Sequence, residues 1–355
     1  MNAFTYNINP GRVLFGVGTM QRLGEEIDRL SLRRLILLST PSQERRARAI
    51  ADMLHTRVVT VFPGAVMHTP DTVTETAMKV VSHYQVDGIL AVGGGSTIGL
   101  GKAIALRTDL PQIIVPTTYA GSEMTPILGE TKNGLKVTQS SPKILPEVVI
   151  YDVELTMSLP PSLSGASGIN AIAHAVEALY AKERNPIISM MASEAIRELA
   201  SALPIIFRHP RDENARWSAL YGAWLCGTCL GSVGMSLHHK LCHTLGGSFG
   251  LPHAETHAVI LPHALAYNAP AVPDVMSQLR TMLHTEDPAL ALFDLAGELG
   301  AERSLIGLGM KEVALDEATD RALANPYWNP RLLEKNLIRN LIARAVHGEP
   351  PMLEK

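Results

Sequence analysis

Cysteine is scarce in this sequence, and its distribution excludes a disulfide framework. The chain of 355 residues has three cysteines, Cys226, Cys229 and Cys242, an odd number crowded into one region. Small secreted domains that depend on disulfides carry larger, paired sets, so a reducing, cytoplasmic compartment is expected. The Cys-x-x-Cys spacing of Cys226 and Cys229 also occurs in redox pairs, but the small apolar residues around them predict close helix packing.

Long apolar runs and an excess of one charge are also lacking. No apolar run approaches the length of a membrane-spanning helix, and the N-terminal residues have no apolar signal core. The net charge is -3, charged residues make up 18% of the chain, and there is no basic run. Nucleic acid and anionic membrane surfaces are therefore excluded as main partners. The sequence predicts a soluble, unexported protein that acts on small molecules.

Apolar runs of strand length alternate with helical patterns in the first part of the chain. They predict strands of a parallel sheet buried on both faces, and segments 43–54 and 71–84 have the apolar spacing of covering helices. This pattern indicates a doubly wound α/β domain. The predicted strands are 35–39, 58–62, 88–92, 113–115 and 148–151.

The composition changes near Pro160 and Pro161. Strand-like runs disappear there, and segments rich in alanine, leucine and methionine continue to the end of the chain, without an internal repeat. A chain of this length favours two domains. We therefore predict an α/β domain over residues 1–160 and an all-helical domain over residues 161–355.

A glycine-rich loop, Gly93–Ser96, joins a predicted strand to the helix that follows it. Glycines let the backbone approach an anion closely, and the first turn of the helix offers free N–H groups and a positive dipole end. The loop is therefore predicted to hold the pyrophosphate of a dinucleotide, with a tight turn lacking any ligand as the alternative. It differs from the G-x-G-x-x-G fingerprint, so the usual Rossmann inference does not transfer.

Hydroxyl-bearing residues follow two other predicted strands. Thr117, Thr118 and Ser122 come at the carboxyl end of a strand, where ligands of open α/β sheets bind. A solvated loop is equally compatible with them alone, but two such loops together favour a shared nucleotide site. Ser39 follows the first predicted strand, and no acidic residue is present there to select against a 2′-phosphate. The sequence is therefore compatible with either NADH or NADPH as the cofactor.

Histidine is concentrated in one stretch, since six of the 13 histidines lie within residues 238–263. His239 and His243 would share one face of a helix, and His253 follows a glycine-bearing turn. Histidine titrates near neutrality and is the commonest metal ligand, so the stretch predicts an acid-base or metal site. His257 lies beside an apolar run and is assigned a packing or capping role.

Asn170 and His174 are four residues apart on one face of another predicted helix. Alone, such a pair is more often an interior polar contact than a set of ligands. With the histidine stretch, however, His174, His239 and His253 could meet from three elements and bind a cation. Asn170 would be a poor fourth ligand because its neutral amide adds no anionic charge.

These segments together resemble the iron-containing alcohol dehydrogenase family over nearly the whole chain. The resemblance rests on the GGGS loop with Lys102 in the next helix, the PTTYAGSE loop, the Asn170-x-x-x-His174 helix and the histidine stretch. It implies a nicotinamide-binding domain, a helical domain of the dehydroquinate synthase-like architecture, and a homodimer. It also implies that the dinucleotide contacts Gly94, Gly95, Ser96, Thr117, Thr118, Ser122 and Lys136.

The resemblance also assigns roles in the helical domain. The metal-ligand positions of the family fall on Asn170, His174, His239 and His253, while His243 would face the nicotinamide. The metal-binding members have aspartate where this chain has Asn170. We therefore expect that a divalent metal is not required.

The histidine stretch and the segment 324–331 (ANPYWNPR) resemble, more narrowly, a branch of the family that reduces a carbon–carbon double bond in aromatic-ring degradation. This implies a dicarboxylate substrate, with His243 or His253 as proton donor or enolate clamp. Lys240 is the candidate cation for a carboxylate, or else a solvated helix residue, and Tyr119 is a candidate neutral donor.

Two other functions are retained as alternatives. One is a metal-dependent alcohol or polyol dehydrogenase of the same family, in which a cation stabilises an alkoxide. The other is a catalytically inactive nucleotide-binding or assembly protein. The set of His174, His239, His243 and His253 argues against the second, because a scaffold has no need of these side chains in register.

Overall fold

The computed structural model describes residues 4–6, 9, 11–132, 135–324 and 327–353, and it describes only the backbone of Leu135 and Lys136. The chain divides into two compact units, Ile8–Leu159 and a second one made mainly of Pro160–Lys355. Across the described ranges, no helix combines the length and the apolar character that crossing a membrane requires.

The first unit is built on a six-stranded sheet in which all neighbouring strands run parallel. A separate antiparallel hairpin accompanies it. The strands are β1 (Arg12–Gly16), β2 (Leu35–Leu38), β3 (Val58–Phe62), β4 (Gly88–Gly93), β5 (Gln112–Pro116), β6 (Ile127–Lys132), β7 (Leu135–Ser140) and β8 (Val148–Asp152). The sheet has the order β1-β8-β5-β4-β2-β3, and β6 pairs with β7.

The sheet is buried on both faces, which confirms the predicted doubly wound α/β fold. Leu35 and Leu37 of β2 pack into one core, and Ile36 and Leu38 pack into the other. Because both faces are covered, the central strands are apolar throughout. Helices α1 (Leu23–Arg29) and α2 (Glu44–Leu54) contribute to the first core, and α3 (Asp71–His83) and α4 (Gly95–Thr108) contribute to the second.

Strand β1 and the β6–β7 hairpin were not predicted from the sequence. In β1 only Leu14 is fully buried, and its partner β8 lies far away along the chain. In β6 buried positions alternate with half-buried ones, and the strand carries Glu130, Thr131 and Lys132. Neither segment therefore has the continuous apolar run that identified the other strands.

The second unit is all-helical over its described residues, as predicted. Its central element is α5 (Pro161–Leu179), in which every residue from Ser164 to Leu179 is buried. Pro161 begins this helix at a position where its missing N–H costs nothing. The other helices are α6 (Pro186–Arg208), α7 (Glu213–Leu230), α8 (Leu237–Phe249), α9 (His253–Asn268), α10 (Pro273–Leu283), α11 (Pro288–Glu298), α12 (Leu315–Leu323) and α13 (Lys335–His347).

Candidate active site

The glycine loop lies where the order of strands reverses, with β4 next to β2. Gly94 precedes α4 and has no side chain to cap it, so the first N–H groups of the helix are left without an intrahelical partner. Gly95 is exposed and Ser96 is half-buried. An anionic ligand can therefore reach this helix terminus.

The loop after β5 closes against the glycine loop. The N–H of Thr117 donates to the carbonyl of Gly93 (3.1 Å), and a Cβ at Gly94 would lie 2.9 Å from Cγ2 of Thr118. Only glycine fits such an approach. Thr117, Thr118 and Ser122 are half-buried, so this surface of backbone amides and hydroxyls fits the phosphates and ribose of a dinucleotide.

A buried lysine holds the end of this second loop. The ammonium of Lys102, on α4, donates to the carbonyl and the hydroxyl of Ser122, to Oγ1 of Thr125 (2.9 Å) and to the carbonyl of Ile127 (3.0 Å). Burial lowers the pKa of Lys102 to about 7, although Glu123 opposes that shift. Lys102 therefore joins the glycine-loop helix to the loop that carries Ser122.

Two residues predicted to contact ligands are buried instead. Ser39 is 0% exposed, and its backbone is tied to Phe62 and Ala65 by hydrogen bonds of 3.2 and 3.0 Å. Tyr119 is also 0% exposed. The sequence indicated that both residues lie at strand ends, but it did not indicate the direction of their side chains. Because both side chains are buried, neither is accessible to a ligand in this structure. The predicted contact from Lys136 concerns a side chain outside the described residues.

Three histidines of the helical unit meet in its interior. His174 on α5, His239 on α8 and His257 on α9 each offer a ring nitrogen, and these atoms lie within 4.8 Å of one another. We call this set the histidine cluster. Its third member is His257; His253, which the resemblance places among the metal ligands, belongs to no such group of three among the described residues, and its assignment stays a prediction.

The exchange of His253 for His257 follows from the start of α9. Gly250 adopts a left-handed conformation (φ 67°) that ends α8, and α9 then begins at His253. His257 lies one turn further along the same face and is fully buried, whereas His253 is half-buried. The two ring centroids are 4.3 Å apart. His253 therefore lies at the margin of the cluster.

Several polar atoms of the cluster have no hydrogen-bond partner among the described residues. They are Nδ1 of His174, Nε2 of His239, both ring nitrogens of His257, and Oδ1 of Asn170, all of them buried. Buried polar groups are rarely left unpaired. Because these unpaired atoms converge, they indicate a binding site for a polar ligand.

His174, His238 and His257 are neutral near pH 7. Burial lowers the pKa of His174 and of His257 well below the usual range, and neighbouring histidines add to the shift. Burial also lowers the pKa of His238 to about 4. A neutral imidazole has one N–H and one lone pair, so His174 and His257 can donate or accept a hydrogen bond but do not carry a proton to give away.

Glu177, which the sequence reasoning missed, is the anionic group of the site. Burial opposes its ionisation, but its hydrogen bond with His239 and the nearby histidines lower its pKa to about 2. Its Oε2 accepts from Nδ1 of His239 (2.6 Å), and its Oε1 accepts from the hydroxyl of Ser236 (2.8 Å) and the N–H of His238 (2.8 Å).

The ionised Glu177 fixes the tautomer of His239. A carboxylate only accepts hydrogen bonds, so Nδ1 of His239 carries a hydrogen, and Nε2 is the ring nitrogen that remains without a partner among the described residues. Glu177 also accepts N–H groups at the start of α8, which lacks a side-chain cap of its own. Its position three residues after His174 on α5 was the available sequence signal.

Three further predicted residues lie on or beside α8 and are half-buried: His243, His253 and Lys240. The ring centroid of His243 is 6.2 Å from that of His239 and 6.5 Å from that of His257. The ammonium of Lys240 lies 5.5 Å from the centroid of the Tyr327 ring. These groups are more accessible to solvent than the cluster.

The histidine cluster fits a divalent ion of the zinc type. Three imidazole nitrogens with an open fourth position make a common catalytic ligand set, and a carboxylate behind one ligand, as Glu177 is behind His239, is a common supporting feature. An ion held by His174, His239 and His257 would polarise a substrate oxygen. The neutral Asn170 beside them adds no charge to hold the ion.

Changing Asn170 to aspartate should increase the affinity for a divalent ion by about tenfold or more, because a buried anionic oxygen would replace a neutral one. Titration calorimetry of the purified variant with Zn²⁺ measures this. Asn185→Asp is the matched control, since Oδ1 of Asn185 caps α6 and aspartate serves equally well there. An unchanged affinity in Asn170→Asp would show that this side chain does not face an ion site.

Cys226 and Cys229 take no part in the histidine cluster. Cys226 and Cys229 are free and buried, and burial raises the pKa of Cys229 to about 12 and that of Cys226 well above its usual range. Reactive cysteines need an accessible thiolate. These two therefore act as packing residues.

Comparison with known proteins gives the family. The model of iron-containing alcohol dehydrogenase matches residues 10–153, and that of the C-terminal part of the Fe-containing alcohol dehydrogenase family matches residues 164–346. The chain belongs to the iron-containing alcohol dehydrogenase family, and it is an oxidoreductase.

Within the family the similarity is to maleylacetate reductases. The enzyme of Rhizobium sp. (strain MTP-10005) is 55% identical over 99% of this chain and 100% of its own, and that of Pseudomonas sp. (strain P51) is 53% identical over 96% and 97%. The crystal structure of maleylacetate reductase from Agrobacterium tumefaciens matches with a TM-score of 0.94 and 54% identity, covering 99% of this chain and 100% of the other.

Proposed function

We propose that this chain is a maleylacetate reductase, which reduces the carbon–carbon double bond of maleylacetate with NADH or NADPH to give 3-oxoadipate. The observation that carries the proposal is the identity of 55% over full length with an enzyme of that name. The interior site agrees with it, because a cluster of neutral imidazoles suits the stabilisation of an enolate.

The first unit would bind the dinucleotide. The N-terminus of α4 and the exposed Gly95 would take its phosphates, and Thr117, Thr118 and Ser122 would contact it from the next loop. When bound, the cofactor supplies the hydride that enters at the carbon β to the ketone, which leaves negative charge on the ketone oxygen. No acid follows β2 to discriminate against NADPH, so both nicotinamides are proposed as substrates.

Histidine N–H groups would stabilise the enolate oxygen. His174 and His257 are neutral and have nitrogens without partners among the described residues. Their hydrogen bonds would strengthen as charge develops on the oxygen, which is the condition for lowering the barrier. Nδ1 of His239 is already engaged by Glu177, so the donor role is proposed for the other two.

His243 or His253 would give the proton to the α carbon. His174 and His257 have pKa values too low to carry a proton near pH 7, whereas His243 and His253 are half-buried and can exchange protons with solvent. A general acid must be protonated at the working pH. Addition of one hydride and one proton across the double bond of maleylacetate gives 3-oxoadipate.

We propose that this reaction proceeds without a divalent ion. An enolate requires less charge stabilisation than an alkoxide, and the cluster has N–H donors for it. A metal-dependent alcohol or polyol dehydrogenase is the second candidate, because the nitrogens of the cluster also fit an ion. We further propose a cytoplasmic homodimer acting in the degradation of aromatic compounds.

A spectrophotometric assay tests the proposal. The purified protein should oxidise one NADH or NADPH for each maleylacetate consumed, with 3-oxoadipate identified by mass spectrometry, and the rate should be unchanged after treatment with a chelator. Absence of maleylacetate-dependent oxidation would overturn the substrate assignment. Loss of activity on chelation that Zn²⁺ or Fe²⁺ restores would instead support the metal-dependent mechanism.

A further inference from the structure

Tyr327 carries a buried hydroxyl that nothing in the mechanism above uses. Its oxygen has no hydrogen-bond partner among the described residues, although the rest of the side chain is half-buried. Burial raises the pKa of Tyr327, and the charge of Glu177 raises it further. The hydroxyl is therefore protonated at all ordinary pH values and available as a hydrogen-bond donor.

The chain around Tyr327 is tied firmly to the helical unit. Asn329 and Asn268 exchange amide hydrogen bonds of 2.7 and 3.1 Å, and the N–H of Leu237 at the start of α8 donates to Oδ1 of Asn329 (3.4 Å). The hydroxyl of Tyr267 donates to the carbonyl of Leu332 (2.6 Å). These bonds fix the segment against the ends of α8 and α9.

Lys240 provides a cation next to the aromatic ring of Tyr327. Its ammonium lies 5.5 Å from the ring centroid of Tyr327, within the range of a cation–π contact. It forms none of the ion pairs that occur among the described residues. Lys240 directly follows His239 in α8, and the Tyr327 ring that Lys240 contacts lies close enough to Glu177, the hydrogen-bond partner of His239, to experience its charge.

An ammonium and a phenol hydroxyl that both lack an acceptor within the described parts of the chain form a recognition site for an anion. A carboxylate has two oxygens and accepts several hydrogen bonds, so one carboxylate can accept from both groups. Glu177 does not compete, since its oxygens already accept bonds from His239, Ser236 and His238.

We propose that Tyr327 and Lys240 together bind one carboxylate of the substrate and so select a dicarboxylate over a monocarboxylate. The inference rests on the proposed function. The carboxylate is the one on the ketone side, because one methylene separates it from the ketone whose oxygen faces the histidine cluster. Tyr327 is thereby a specificity-determining residue, and its contribution is to binding.

The test compares maleylacetate with 4-oxopent-2-enoate, which lacks that carboxylate. In Tyr327→Phe the KM for maleylacetate should increase by about tenfold or more, as expected for loss of a hydrogen bond to a charged group, while kcat and the KM for NADH stay unchanged. The KM for 4-oxopent-2-enoate should not change. Lys240→Met should show the same selective pattern.

The melting temperature of the variant shows whether the substitution disturbs the fold. The Tyr327 hydroxyl has no partner to lose, so Tyr327→Phe should melt at the same temperature as the wild type or higher. Tyr84→Phe, at a position 37% exposed in the other unit, is the matched control and should leave both KM values unchanged. An equal change in KM for both substrates, or no change for either, would overturn the inference. Failure of the wild type to reduce maleylacetate would instead count against the proposed function.

Discussion

Replacing His243 with alanine should lower kcat for maleylacetate by about two orders of magnitude or more, while the affinity for NADH remains nearly that of the wild type. A general acid or an electrostatic donor contributes roughly this much to a rate. His243 lies one turn beyond His239 on α8 and is half-buried. Its loss therefore removes a proton source without opening a large cavity in the core.

Steady-state kinetics and NADH fluorescence titration measure the two effects separately. His209→Ala is the matched control, because His209 is exposed at the end of α6 in the same unit and should have no effect. His253→Ala should be measured beside it, since either residue is a candidate donor. Unchanged turnover in His243→Ala would remove this residue from the mechanism and leave His253 as the acid.

The central strands of the first unit could be predicted because the signal for each lies within its own short segment. A strand such as β2, with Leu35 and Leu37 in one core and Ile36 and Leu38 in the other, must be apolar at every position. Strand β1 is stabilised by pairing with a strand more than a hundred residues away, so its short segment gave no comparable signal.

The site was predictable in outline and less so in its members. Helical spacing put Asn170 and His174 on one face, and the structure places both in α5 beside the cluster. Spacing could not decide between His253 and His257, because they share a face and only the starting point of α9 determines which one is buried.

Contacts between residues on different elements could not be predicted from the sequence. Glu177 belongs to the site through Nδ1 of His239, and Tyr327 through its approach to Lys240, and both contacts join segments far apart in the chain. Ser39 and Tyr119 are buried although they follow strand ends, which are accessible in general, so their predicted contacts with ligands stay predictions. A position in the chain does not determine the direction of a side chain.

Replacing Lys102 with methionine should lower the free energy of unfolding of the first unit by about 3–5 kcal/mol at pH 7. The change removes the donor that satisfies Thr125 Oγ1 and the carbonyls of Ser122 and Ile127, so these buried acceptors lose their partner. Denaturant unfolding measures the loss. Lys143→Met, whose ammonium pairs with Asp109 at the surface, should change stability by less than about 0.5 kcal/mol.

The pH dependence of the free energy of unfolding distinguishes the loss of the buried lysine from a general packing defect. The pKa of Lys102 is about 7 in the folded protein against an ordinary value of 10.5, so between these values the unfolded chain holds a proton that the folded chain has released. The free energy of unfolding should therefore rise with pH across this window, by up to about 1.4 kcal/mol per pH unit from this group. Lys102→Met should lack that rise while Lys143→Met keeps it, and parallel curves for all three proteins would show that Lys102 keeps its ordinary pKa in the fold.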